Sequence, residues 1–258
     1  MDFEQALLAF EQFLQDYDKA SEKIKLKEIH TYGVVEAATM IATDLQLSET
    51  DTFLAKLIAL LHDIGRFEQA KRFNSFVDKD TVDHAEFGAD ILFVDGKIRN
   101  FIATTEYDEL IEDAIRYHNK LAIPTGLTAS TELHCKIIRD ADKLDIFRVM
   151  ITDSLTAFGI HDEALMKEED ISDEVFAGFT SFQTIPHSNR KTQMDFWIAC
   201  VAFIFDFNFD AGLKIVQTKN YIDQLLDRVP SLNPKTIKQM ETLRTVANEY
   251  VERKALKL

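Results

Sequence analysis

The chain has 258 residues, is 46% hydrophobic, and carries a formal net charge of -15 from 44 acidic and 29 basic residues. That apolar fraction excludes a disordered chain and suffices for a sizeable core, while the negative surface makes double-stranded nucleic acid an unfavourable partner. Only 8 glycines and 4 prolines punctuate the sequence, too few for an all-β fold built on tight turns.

Residues 2–17 place Phe3, Leu7, Phe10, Phe13 and Leu14 on one helical stripe, and 21–45 continue the period with Ile24, Ile29, Val34, Ala37 and Ile41. Ser48 is the expected N-cap of a helix that runs to Ile64, with Gly65 as a left-handed C-cap. Asp80 is expected to cap a helix over 81–95 that stops near Gly96. Further helices are predicted over 106–119, ending before the Pro124–Gly126 turn, and from Ser130 or Thr131 to about 150. The second half reads as helices over 150–159, 172–182, 190–206 and 210–228, with loops at 160–171 and around Pro186. A last helix opens at Asn233-Pro234, an N-cap followed by proline at the first helical position. Its end, Glu252–Leu258, reads as a solvated terminus, and no segment reads as a strand.

Composition shifts after about residue 155, where histidines on apolar faces give way to phenylalanines. The expectation is one domain over 1–258, with a core over 25–150 and accessory helices over 151–258. Two cysteines, Cys135 and Cys200, are too few for a disulfide framework and suit a reducing compartment. The start Met1-Asp2-Phe3-Glu4 lacks a signal-peptide pattern. The longest apolar run, Phe196–Phe205, is about half a bilayer span. The chain is therefore expected to be cytoplasmic, with no membrane partner, and an oligomer is compatible with it.

Four histidines sit on apolar helical faces in the first 120 residues: His30 with Val34, Ala37 and Ile41; His62 after Leu54, Ala55 and Ile58; His84 before Gly88 and Ile91; His118 after Ile111, Ala114 and Ile115. Asp63 follows His62, and Asp142 lies among Cys135, Ile138, Ile146 and Val149. A buried polar group without a partner costs about 1–3 kcal/mol, and more when charged. Six such groups on five helices call for a common partner, and a divalent metal accepts imidazole nitrogen and carboxylate oxygen together. Six donors suit one octahedral ion or two ions bridged by a carboxylate. His134, His161 and His187 fall outside the set and read as structural or surface residues, Cys135 as core, and the segment around Trp197 as core or interface.

His30, His62-Asp63, and Asp142 within Asp140-Ala141-Asp142-Lys143-Leu144-Asp145 resemble the HD-domain superfamily, whose pattern is H…HD…D on a helical bundle. His84 in His84-Ala85-Glu86-Phe87-Gly88-Ala89 and His118 in Ala114-Ile115-Arg116-Tyr117-His118-Asn119 resemble the two further histidines of members with a binuclear centre. The resemblance implies an all-α, HD-domain-like bundle with additional C-terminal helices. It implies that His30, His62 and Asp142 ligate a first metal, Asp63 bridges, and His84 and His118 hold a second. The ions it allows are Mn, Fe, Co, Ni, Mg or Zn, one or two of them. The implied activity is a metal-dependent phosphohydrolase using a metal-activated water on a small phosphorylated substrate such as a nucleotide. Arg66 and Lys143 are expected to serve the phosphoryl oxygens, with Lys120 and Arg139 as weaker candidates and Asp145 in support of Asp142. His118 is followed by Asn119 and no Gly-Tyr-Pro signature follows, so cyclic dinucleotide hydrolysis is not supported. Two alternatives share the ligand set: a diiron oxygenase of the same superfamily and a non-catalytic nucleotide-sensing module.

Overall fold

A computed structural model describes residues 2–255 and divides the chain into two compact units, the first ending at Asp142 and the second beginning at Lys143. No strand occurs among the described residues, and the fold is all-α. The last three residues of the expected solvated terminus, 256–258, lie outside the described residues.

The first unit begins with α1 (Phe3–Leu14), whose N-cap Asp2 accepts from the Glu4 amide. Next come α2 (Glu22–Asp44) and α3 (Glu49–Leu61), the latter capped by Ser48 as its sequence predicts. α3 packs against α1 and α2. The continuous helix expected through Ile64 is instead broken at His62-Asp63, and a helix not anticipated from the sequence, α4 (Ile64–Phe73), follows at once. Gly65 lies in the first turn of α4 and is not a left-handed cap; only Gly96, Gly126 and Gly159 among the glycines have positive φ. Its role is close approach. A Cβ at Gly65 would lie 2.3 Å from the His84 carbonyl oxygen and 2.7 Å from the Gly88 nitrogen. Backbone therefore touches backbone where α4 meets α5 (His84–Ala89).

Asp83, not Asp80, caps α5, accepting from the amides of Ala85 and Glu86. A wider π turn over Asp90–Val94 carries the chain on to Gly96, which takes the left-handed conformation. α6 (Asp108–Tyr117) packs against α5 and α3, and α7 (Ala129–Thr152) begins in the first unit.

In the second unit the expected 160–171 loop contains a short helix, α8 (Glu163–Glu168), nucleated by Asp162 accepting from Leu165 and by a 2.7 Å Glu163–Lys167 pair. α9 (Asp173–Thr180) and α10 (Gln193–Val201) lie inside the predicted 172–182 and 190–206 spans. The helix expected at 150–159 is the end of α7 plus a short 3-10 turn at Leu155–Phe158. The helix expected over 210–228 is two, α11 (Asp210–Thr218) and α12 (Tyr221–Arg228), broken at Asn220, which tolerates φ 51° because its short polar side chain suits the left-handed region. α13 (Pro234–Ala255) starts as predicted, with Asn233 Oδ1 accepting from Lys235 at 2.9 Å. Trp197 is fully buried here, its indole N–H donating to the Leu225 carbonyl at 3.0 Å, so it is core. No helix among the described residues is long and apolar enough to cross a membrane.

Candidate metal centre

His30 lies in α2 on the same buried face as Val34, Ala37 and Ile41. His62 closes α3 and Asp63 precedes α4. His84 opens α5, His118 closes α6 and Asp142 belongs to α7. All six fall within the first unit. The break between α3 and α4 matters here. Adjacent residues on a continuous helix face different directions, whereas the corner leaves His62 Nε2 only 3.6 Å from Asp63 Oδ2. It also moves Asp63 from a helix C-terminus, where a carboxylate is disfavoured, to the start of the next helix, where it is favoured.

The two oxygens of Asp63 face different histidine pairs. Oδ2 lies 3.6 Å from His62 Nε2 and 3.7 Å from His30 Nε2. Oδ1 lies 3.4 Å from His84 Nε2 and 3.9 Å from His118 Nε2. Asp142 Oδ1 closes the first side, 3.1 Å from His30 Nε2 and 3.9 Å from His62 Nε2. The groups His30–His62–Asp63 and Asp63–His84–His118 each bring three donor atoms within 4.8 Å of one another.

Three of the rings have outer partners. His62 Nδ1 lies 2.8 Å from the Ala59 carbonyl, His118 Nδ1 2.7 Å from the Ile115 carbonyl, and His84 Nδ1 2.6 Å from Asp78 Oδ2. At His62 and His118 Nδ1 therefore carries the hydrogen and donates it, which leaves the lone pair of each neutral ring on Nε2. His118 Nε2 lies 3.1 Å from His84 Nε2, and His62 Nε2 is buried with no hydrogen-bond partner. An inward lone pair without a donor of its own is unfavourable in a low-dielectric interior unless a cation takes it. The residues thus fit a divalent metal.

Charge agrees with this geometry. Burial drives His62 and His118 toward the neutral form against the pull of Asp63 and Asp142, and His118 is lowered to about 3 with further help from His84 and His62. Burial opposes ionisation of Asp63, but Lys27, His62, His84 and Arg66 outweigh it and hold its carboxyl well below the usual range. Asp142 is lowered in the same way, burial being outweighed by the hydrogen bond and charge of His30 and by His62. Neutral imidazoles around ionised carboxylates are the protonation state that metal ligation needs.

Residues 28–146 match the family model of the HD domain. Over that span the chain is similar to the HD superfamily. HD domains bind divalent metals, and the His and Asp groups for one are assembled here. Neither the curated proteins nor the solved structures contain a match to the chain.

The expected phosphoryl-binding cations are placed less simply. Arg66 sends Nη1 to the Phe76 carbonyl at 2.7 Å, Asp78 Oδ1 at 2.6 Å and Gln69 Oε1 at 2.8 Å, while its Nε is buried 3.8 Å from Asp63 Oδ1. Arg139 is buried and donates to the carbonyls of Tyr117, His118, Lys120 and Leu121, which fixes the chain that follows α6. Lys120 pairs with Asp83 at 2.5 Å and Glu86 at 3.1 Å. In the second unit, Lys143 pairs with Asp206 at 2.8 Å and Asp145 with Arg148 at 2.6 Å. His134 is buried beside Asp51 at 3.3 Å, Cys135 is buried, and His161 and His187 are exposed.

Two residues were missed in the sequence. Lys27 lies one turn before His30 on α2 and places Nζ 2.6 Å from Asp63 Oδ2, its side chain 17% exposed. The three-residue spacing from His30 was the available signal. Asp78, the partner of His84, lies in the irregular stretch between α4 and α5, where periodicity says nothing.

Proposed function

We propose that this protein is a metal-dependent phosphohydrolase acting on a small phosphorylated molecule, such as a nucleotide. One observation carries the reading: Asp63 offers one oxygen to each of two histidine pairs while a partly exposed lysine lies against it. His30, His62 and Asp142 would hold one divalent cation, His84 and His118 a second, and Asp63 both. The ion is Mn, Fe, Co, Ni, Mg or Zn. Bound there, a divalent cation supplies Lewis acidity toward a phosphoryl oxygen and toward water at neutral pH.

The chain's own residues supply the rest. His62 and His118 keep their Nε2 lone pairs inward because backbone carbonyls hold the opposite proton. Lys27 is the ammonium that can turn from Asp63 to a substrate oxygen, since its Nζ lies over the Phe76 ring, 5.6 Å from the centroid, and its side chain is partly exposed. In a chain of net charge -15, an anionic substrate needs such a local cation.

The test is phosphate release from nucleotides and simple phosphoesters by protein loaded in turn with Mn, Co, Ni, Mg or Fe(II). Release that needs the metal, and that falls about 100-fold in Lys27→Met, is expected. Oxygen uptake by the iron-loaded protein, with no phosphate release under any metal, would overturn the reading.

A further inference from the structure

The ring of His84 is oriented differently from its neighbours. His62 and His118 give their Nδ1 protons to neutral backbone carbonyls. His84 gives its proton to a carboxylate, Asp78 Oδ2, at 2.6 Å. Asp78 is itself fixed, for its Oδ1 accepts from Arg66 Nη1 at 2.6 Å and from Gln69 Nε2 at 3.0 Å. Gln69 is fully buried and extends the network to Thr81 Oγ1 at 2.7 Å and the Val82 carbonyl at 3.0 Å. The stretch between α4 and α5 is thus pinned by three side chains whose common point is Asp78.

We infer that Asp78 is a positioning residue, set by Arg66 and Gln69, that orients His84 and raises its donor strength toward the second of the two cations. The inference rests on the two-cation reading given above. An imidazole whose outer nitrogen donates to a carboxylate is a stronger and better-aimed ligand than one donating to a carbonyl, and loss of such a partner typically lowers metal affinity about 10–100-fold. The arrangement makes the centre asymmetric: the His84 side depends on an outer carboxylate, and His62 does not. It also gives Arg66 a role other than substrate contact, since its Nη1 supports Asp78.

The test is titration of the chelator-stripped full chain with Mn(II) and Co(II), read by calorimetry and by the visible absorption of bound Co(II). Wild type should take up two cations. Asp78→Asn should keep one unchanged and bind the other about 10–100-fold more weakly. The downfield proton resonance of His84 Nδ1–H, seen in the stripped wild type, should disappear in the variant. Two cations bound equally well by Asp78→Asn would overturn the role of Asp78 and leave the two-cation centre standing. A wild type that binds one cation or none would overturn both. If Asp78→Asn fails to fold, absence of a carboxylate-bonded His84 proton in wild type alone overturns the assignment.

Discussion

In the second unit Asp195 is fully buried, yet each of its oxygens accepts a backbone amide, one from Ser172 at 2.8 Å and one from Lys191 at 2.9 Å. In the first unit His62 is equally buried and its Nε2 has no hydrogen-bond partner, while His84 and His118 aim Nε2 at Nε2. Both units bury polar side chains in helical packing, but in opposite ways. Around Asp195 each acceptor has its own donor, so the group is finished as architecture. Around Asp63 the inward nitrogen of His62 has no donor of its own, and the cluster of imidazoles and carboxylates fits a cation common to them. Polar burial alone therefore does not mark a site; mutual mismatch among the buried groups does.

The largest effect that sharpens this contrast is expected from Asp63→Asn, which removes the one carboxylate that faces both histidine pairs. Cation content measured by elemental analysis should fall to background, and phosphate release with it. A variant that still holds two metals would break the comparison at its root. Gly65→Ala comes next. The new Cβ would lie 2.3 Å from the His84 carbonyl, so α5 must move. The expected cost is about 1–3 kcal/mol in thermal unfolding, with the His84–His118 side losing its cation while the His30–Asp142 side keeps one.

Asp195→Ala should match that loss of stability and leave the metal count untouched, because two part-buried amides, those of Ser172 and Lys191, lose their acceptor at about 0.5–1.5 kcal/mol each. A fall in cation affinity there would show that the two kinds of polar burial are not separable. Chelation is the converse experiment. A ligand present at about 100 times its dissociation constant stabilises the folded state by about 2.7 kcal/mol, so stripping the metal should lower the melting temperature by about 5–10 °C. A melting curve indifferent to chelator, in protein shown to have held metal, would mean that the inward nitrogens of His62 and His118 cost nothing without it.

The six donors were legible because each is a polar residue on an otherwise apolar helical stripe, and because His62-Asp63 and the surroundings of Asp142 are distinctive as sequence. The corner at 62–63 was not legible. Leu60, Leu61, His62, Asp63 and Ile64 continue the helical period, and the corner shows itself only in the folded chain, beside a contact of Gly65 with α5 between residues far apart in sequence. Gly65 was read as a cap because conformational freedom is the usual reason for a glycine, whereas here the missing Cβ is the reason. Lys143 follows Asp142 directly but is turned about 100° around α7, as helical geometry requires, and it pairs with Asp206. Asp78 gave no periodic signal at all.

His134 tests the comparison from its weakest side, since it is a buried histidine of the first unit outside the ligand set. Its Nε2 lies 3.3 Å from Asp51 Oδ1 and its Nδ1 has no hydrogen-bond partner. Burial lowers its pKa below the ordinary value, and the hydrogen bond and charge of Asp51 offset only part of that. A depressed folded-state pKa means that the unfolded chain takes up a proton that the folded chain refuses. The stability tied to neutral His134 is therefore present above pH about 6.5 and is lost as pH falls through that value. In chelator-stripped protein, the difference in melting temperature between wild type and His134→Leu should shift in favour of the variant from pH 7.5 to pH 5.5, by a small amount. Every other titrating group is common to both proteins and cancels in the difference. Parallel melting curves over that range would mean that Asp51 holds the charged form as well as the neutral one, and that His134 belongs with Asp195 among the groups the fold has already satisfied.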